Sequence, residues 1–184
     1  MAVFEVARLA QPASYTWRLV ASKAPAVRSS AGVHWPVTPL PRRLGAIDLV
    51  MVIGGDGVDA ACRDALLIGW LQRASRSGAR MASICSGSLV LAAAGLLDQR
   101  TATTHWSCYE ELRALGAVPT SERVVEHLDR RIITAAGVSS GIDMALRLAE
   151  LLVDETAARA MQLMVEYDPQ PPFDSGSLAK ADDA

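Results

Sequence analysis

The run Ile47-Asp48-Leu49-Val50-Met51-Val52-Ile53 constrains this chain most, because it is apolar almost throughout and stops abruptly at Gly54-Gly55-Asp56-Gly57. A strand with one wet face would alternate polar and apolar residues. A near-continuous apolar strand suits a parallel sheet covered on both faces. A second such stretch, residues 79–84, follows Gly78 and is itself followed by Ser88-Leu89-Val90-Leu91-Ala92-Ala93-Ala94, a helix former's sequence ending at Gly95. A third, Ile132-Ile133-Thr134-Ala135-Ala136-Gly137, is the second of two extended pieces read in residues 122–135, the two joined at Leu128-Asp129-Arg130. Strands alternating with helices predict an α/β sandwich around a mostly parallel sheet. Ligands in that architecture sit beyond the carboxyl ends of the strands. Gly54-Gly55, Cys85 and Gly137 all fall there.

The rest of the pattern is consistent with one domain, residues 1–184, with an irregular tail over 168–184. Residues 2–10 read as a short helix, and Tyr15-Thr16-Trp17-Arg18-Leu19-Val20 alternates as a strand does. Residues 25–41 are rich in Pro, Ser and Gly, a loop with short strands around Val27 and Val33. Helices are expected over residues 59–75 and 106–115. Ser139 or Ser140 caps a long amphipathic helix through Leu152, and another covers 154–167. Asp143 and Glu166 lie on these helices and read as solvated or capping groups.

Ser83-Ile84-Cys85-Ser86-Gly87 sets a single cysteine between a strand and a helix. A sharp turn there projects the side chain out of the sheet and aims free N–H groups of the helix at it, the logic of a nucleophile elbow. A helix N-terminus also favours a thiolate. The competing reading is a buried structural cysteine.

Composition removes several classes of function. The formal net charge of −2, with no Lys/Arg cluster, argues against a nucleic-acid surface, and no apolar run is long enough to span a bilayer. Arg42-Arg43 and Arg130-Arg131 are isolated pairs. Met1-Ala2-Val3-Phe4-Glu5 lacks the layout of a signal peptide. Cys62, Cys85 and Cys108 form neither a Cys-x-x-Cys pair nor a zinc spacing with His34, His105 or His127. These features imply a reducing compartment, the cytoplasm, with no metal and no disulfide framework.

Gly54-Gly55-Asp56-Gly57 is neither a phosphate loop nor a dinucleotide fingerprint. It is either a tight turn or a turn that lets the Gly55 N–H, with that of Ser86, stabilise an anion near Cys85. His105, after Thr103-Thr104 and before Trp106, is either packing or the partner of a reactive thiol. Gly54, Asp56 and Trp106 would border the same pocket, with Asp56 the only acid in it. His34 and His127 read as surface residues.

These stretches, with Ala94-Gly95-Leu96-Leu97-Asp98, Ala102-Thr103-Thr104-His105-Trp106 and residues 134–143, resemble the ThiJ/PfpI family of the class I glutamine-amidotransferase-like fold. The resemblance covers nearly the whole chain from Trp17. It implies a three-layer, flavodoxin-like sandwich with an elbow cysteine at Cys85. It also implies backbone donors at Gly55 and Ser86, a histidine at His105, and pairing into a homodimer. Two branches are most similar: isonitrile hydratase-type members, which share a tail like residues 166–177, and the sensor domains of AraC-type regulators. The end of the chain at Ala184, with no room for a helix-turn-helix, favours the first.

Members of the family usually begin with a strand carrying an acid that faces the cysteine, ahead of a Val-Phe-Glu segment. Here Met1-Ala2-Val3-Phe4-Glu5 starts inside that pattern, so the first strand and its acid are expected to be absent from this sequence. Loss of an interior strand would leave its neighbours' backbone groups unpaired, which favours a start further upstream. The expected activity is a cofactor-free, cysteine-dependent hydratase or hydrolase of a small molecule, in its isonitrile hydratase form yielding an N-substituted formamide. The alternatives are a redox or ligand sensor and a glyoxalase- or deglycase-like enzyme.

Overall fold

The computed structural model describes residues 16–23, 25–29 and 31–181. The expected helix over 2–10, and the question of a first strand, fall outside them. The chain divides into two compact units, Thr16–Gly141 and one that takes in the residues from Ile142 onward.

In the first unit the apolar runs form the central sheet as expected. Strands β1 (Val20–Ala21), β2 (Ala26–Arg28), β3 (His34–Pro36) and β4 (Thr38–Pro39) precede β5 (Leu49–Ile53) and β6 (Arg80–Ile84). Next come β7 (Thr101–Ala102), β8 (Val118–Pro119), β9 (Val124–His127) and β10 (Ile132–Ala135). The four-stranded sheet has the order β5-β6-β10-β9. Its first three strands are parallel, and β9 runs antiparallel to β10. In register, Ile53 pairs with Ile84 and Ile84 with Ala135, so three carboxyl ends share one edge. The fold is a mixed α/β with a mostly parallel sheet.

Helix α1 (Val58–Cys62) follows β5, and α2 (Ala65–Arg76) follows it. The sequence pattern suggests one helix over 59–75; the structure breaks it at Asp64. That carboxylate accepts from the backbone N–H of Leu66 and Leu67 at 3.0 and 3.1 Å, so it starts a new helix instead of continuing the old one. Trp70, Leu71 and Ala74 turn one stripe of α2 into the core. Helix α3 (Gly87–Ala93) is buried over most of its length, because Leu89, Val90 and Leu91 pack among Met81, Leu97, Leu112 and Ile132. Burying a side chain such as Leu91 contributes about 1.5–3 kcal/mol. Helix α4 (Tyr109–Ala114) follows a 3-10 turn over Trp106–Cys108, where one helix over 106–115 is expected. The strand expected from Tyr15 is confined to Val20–Ala21, whose parallel partner ends at Pro39, a residue with no N–H to donate.

In the second unit α5 (Ser140–Leu152) and α6 (Glu155–Met164) follow the expected bounds closely, with α6 ending three residues early. Asp154 caps α6 by accepting from the Ala157 N–H at 2.7 Å. Ala145, Ala149 and Met161 are buried between the two helices, and the Tyr167 hydroxyl donates to Asp143 at 2.7 Å. From Val165 to Ala181 there is no helix or strand. No described helix is long and apolar enough to cross a membrane.

Candidate active site

Cys85 stands between β6 and α3 with a φ of 60°. A residue with a side chain adopts that left-handed backbone at a cost of about 1–3 kcal/mol, so its surroundings must hold it there. The Cys85 N–H donates to the carbonyls of Ala135 and Ala136 at 3.0 and 2.7 Å. Its own carbonyl accepts from the Thr104 hydroxyl at 3.1 Å and from the Ser88 hydroxyl and N–H at 3.3 and 3.4 Å. The thiol itself is half-buried, and no hydrogen bond joins its Sγ to a described residue.

The turn after β5 meets the elbow backbone to backbone. The Gly54 N–H donates to the Ile84 carbonyl at 3.0 Å. A Cβ on Gly54 would lie 2.5 Å from Ser86 Oγ and 2.7 Å from Ser86 N, so glycine is what leaves that donor uncovered. The Gly55 N–H donates to Ser86 Oγ at 3.1 Å, and the Ser86 N–H has no acceptor among the described residues. Gly54, Gly55, Cys85 and Ser86 are thus adjacent. Asp56 is exposed in the same turn and shares no hydrogen bond with the elbow.

His105 reaches this neighbourhood through the segment that clamps it. Thr104 binds the Cys85 carbonyl, and a Cβ on Gly137, at the end of β10, would lie 3.5 Å from His105 Cδ2. His105 Nδ1 lies 2.7 Å from Ser107 Oγ, and no hydrogen bond links His105 with Cys85. The Trp106 ring, largely exposed, sits 5.4 Å from the imidazole. His34 is exposed on β3, while His127 Nε2 lies 2.8 Å from the Thr101 carbonyl. Among the described residues no group of three or more His, Cys, Asp or Glu side chains could hold a metal ion.

Thr104, Ser107 and the carbonyls of Ala135 and Ala136 were not singled out by the sequence as site residues. The one available signal was a buried Thr-Thr pair beside the histidine. The other two thiols differ from Cys85 in position. Burial, assisted by Asp59 and opposed by Arg63, pushes the Cys62 thiol above its ordinary range. Cys108 is partly buried and packs against the main core cluster.

The chain is similar to known proteins in sequence and in fold. The model of the DJ-1/PfpI family matches residues 1–151. An isonitrile hydratase of Pseudomonas putida is 41% identical over 151 residues, covering 82% of this chain and 65% of that protein. The chain therefore spans less than two-thirds of that relative. The transcriptional regulator GbdR of Pseudomonas aeruginosa is 31% identical over 135 residues, 73% of this chain and 36% of the regulator. The crystal structure of a ThiJ/PfpI family protein from Pseudomonas syringae superposes with a TM-score of 0.84 at 37% identity, covering 98% of this chain and 76% of that one.

Proposed function

The chain belongs to the DJ-1/PfpI family, and from that premise we propose that it is a cysteine-dependent hydratase of a small molecule, with isonitriles as the substrate class. The observation that carries the reading is the elbow: Cys85 held at a φ of 60° by backbone and hydroxyl partners, beside the Gly54-Gly55 turn. The similarity to the Pseudomonas putida isonitrile hydratase narrows the chemistry.

In this reading the Cys85 sulfur attacks the terminal isonitrile carbon. A C–S bond forms, and the thiol's proton ends on that carbon, giving a thioimidate. Water adds to the C=N bond, placing hydroxyl on carbon and hydrogen on nitrogen. Collapse breaks the C–S bond, releases the N-substituted formamide and returns the proton to sulfur. Substrate and water supply every atom, and no cofactor enters. The Gly55 N–H, presently bound to Ser86 Oγ, and the Ser86 N–H would face the negative charge that develops. His105 would assist from the β10 side.

The test is formamide production from an alkyl isonitrile, followed by NMR, for the wild type and Cys85→Ala. Turnover by the wild type alone is expected. Equal rates in the two proteins reject the reading.

The similarity to GbdR favours one second reading, a sensor in which Cys85 is an oxidisable thiol or lines a ligand pocket. Mass spectrometry after mild peroxide distinguishes the two. Selective oxidation at Cys85 without isonitrile turnover supports sensing.

A further inference from the structure

His105 opens the 3-10 turn at Trp106–Cys108 and caps it with its own ring. The Ser107 backbone N–H donates to His105 Nδ1 at 3.4 Å, and the Ser107 hydroxyl oxygen lies 2.7 Å from the same nitrogen. A backbone amide can only donate. Nδ1 must therefore present a lone pair, and the neutral ring carries its proton on Nε2. The Ser107 hydroxyl then also donates to Nδ1. Its remaining lone pairs are left for the Cys108 thiol, whose sulfur is 3.7 Å away.

The Cδ2 edge of the ring lies toward Gly137. His105 Cδ2, bonded to Nε2, is the atom that a Cβ on Gly137 would approach to 3.5 Å. Gly137 directly follows Ala135 and Ala136, the residues whose carbonyls hold the Cys85 N–H. The proton-bearing nitrogen is thus on the edge turned toward the end of β10.

We infer that His105 serves the reaction as an Nε2–H donor, not as the base that takes the Cys85 proton, and that the Ser107 backbone N–H is the positioning group that fixes this tautomer. The inference rests on the isonitrile hydratase reading for the identity of the charge being met. As sulfur adds to the isonitrile, negative charge collects on the C–N unit, and a neutral imidazole N–H can stabilise it without losing its proton. The proton that reaches carbon is the thiol's own, so the balance of the reaction is unchanged.

The experiment is long-range 15N–1H NMR of the imidazole rings at a pH where they are neutral. His105 signals are identified by their loss in His105→Gln. A protonated Nε2 and a pyridine-like Nδ1 are expected for the wild type. Ser107→Pro removes the backbone N–H, which only a bare Nδ1 can accept, and should reduce the ratio of Nε2–H to Nδ1–H tautomer about 2- to 10-fold, the worth of one neutral hydrogen bond. Ser107→Ala keeps that N–H and loses only a hydroxyl that can serve either tautomer, so it should keep the wild-type ratio. In the formamide assay Ser107→Pro should lower kcat and leave KM unchanged. A wild-type ring protonated at Nδ1, or an unchanged tautomer ratio in Ser107→Pro, overturns the inference. The NMR measurement needs no substrate, so absence of isonitrile turnover would reject the function and leave the tautomer result standing.

Discussion

Thr104 Oγ1 donates to the Cys85 carbonyl at 3.1 Å, tying a residue 19 positions downstream to the apex of the elbow. Thr104 is fully buried, so the bond is sheltered from competing water. Thr104→Val keeps the shape and removes the donor. It should lower the unfolding free energy by about 1 kcal/mol, because Ser88 still serves the carbonyl. Urea unfolding with an unchanged m-value is the check; a Thr104→Val midpoint equal to that of the wild type would show that the bond holds nothing.

Gly87 makes a sharper case, since its neighbour is backbone. A Cβ there would lie 2.3 Å from the Val52 carbonyl oxygen, and β5 cannot retreat without breaking its pairing with β6. Gly87→Ala should cost about 3 kcal/mol, the upper end for overpacking. Gly57→Ala is the contrast, because a Cβ there meets nothing within 4 Å and losing glycine at this helix cap costs under about 1 kcal/mol. Thermal unfolding of the two variants side by side decides it. Similar melting temperatures would contradict the close approach.

The elements legible in the sequence are those fixed by local pattern. The runs ending at Ile53, Ile84 and Ala135 became β5, β6 and β10, and the amphipathic stripe from Ser140 to Leu152 became α5. The break at Asp64 was hidden because a side chain, not a glycine or proline, makes it. The same holds at His105, where an imidazole lone pair caps a 3-10 turn inside a stretch with good helical periodicity. At the site, Cys85, Ser86 and Gly54 could be named from spacing. The partners of the Cys85 backbone could not, since Thr104, Ala135 and Ala136 reach it only through the sheet's register.

Cys62 should be the slow thiol. Burial is the main cause of its raised pKa, with the nearby Asp59 carboxylate adding to it and Arg63 opposing. A raised pKa means less thiolate at any given pH, hence slower alkylation than an ordinary thiol near neutrality. The rate at Cys62 should go on rising to more alkaline pH than that of free cysteine. Asp59→Asn should shift the profile toward neutral pH. Peptide mapping after timed iodoacetamide exposure reads this, and a Cys62 rate matching free cysteine throughout would contradict it.

Asp64 supplies a stability term with a defined pH direction. The Ser22 hydroxyl donates to its carboxylate and is the largest cause of its lowered pKa; burial opposes, while the N–H groups of Leu67 and Leu66 and the charge of Lys23 assist. A carboxyl whose folded pKa lies below its unfolded value stabilises the fold above the unfolded pKa, about 3.9. That contribution is lost as the pH falls through the lower, folded value. At neutral pH Asp64→Ala should cost about 1 kcal/mol, the usual loss for an N-cap. Below about pH 4 the gap between wild type and variant should narrow, because a protonated carboxyl caps α2 less well. Ser22→Ala lets the carboxyl titrate nearer its ordinary range, so its acid limb should begin at higher pH than that of the wild type. Urea unfolding across pH 3 to 7 measures all three proteins; an Asp64→Ala deficit that stays constant over that range would remove the carboxylate from the account.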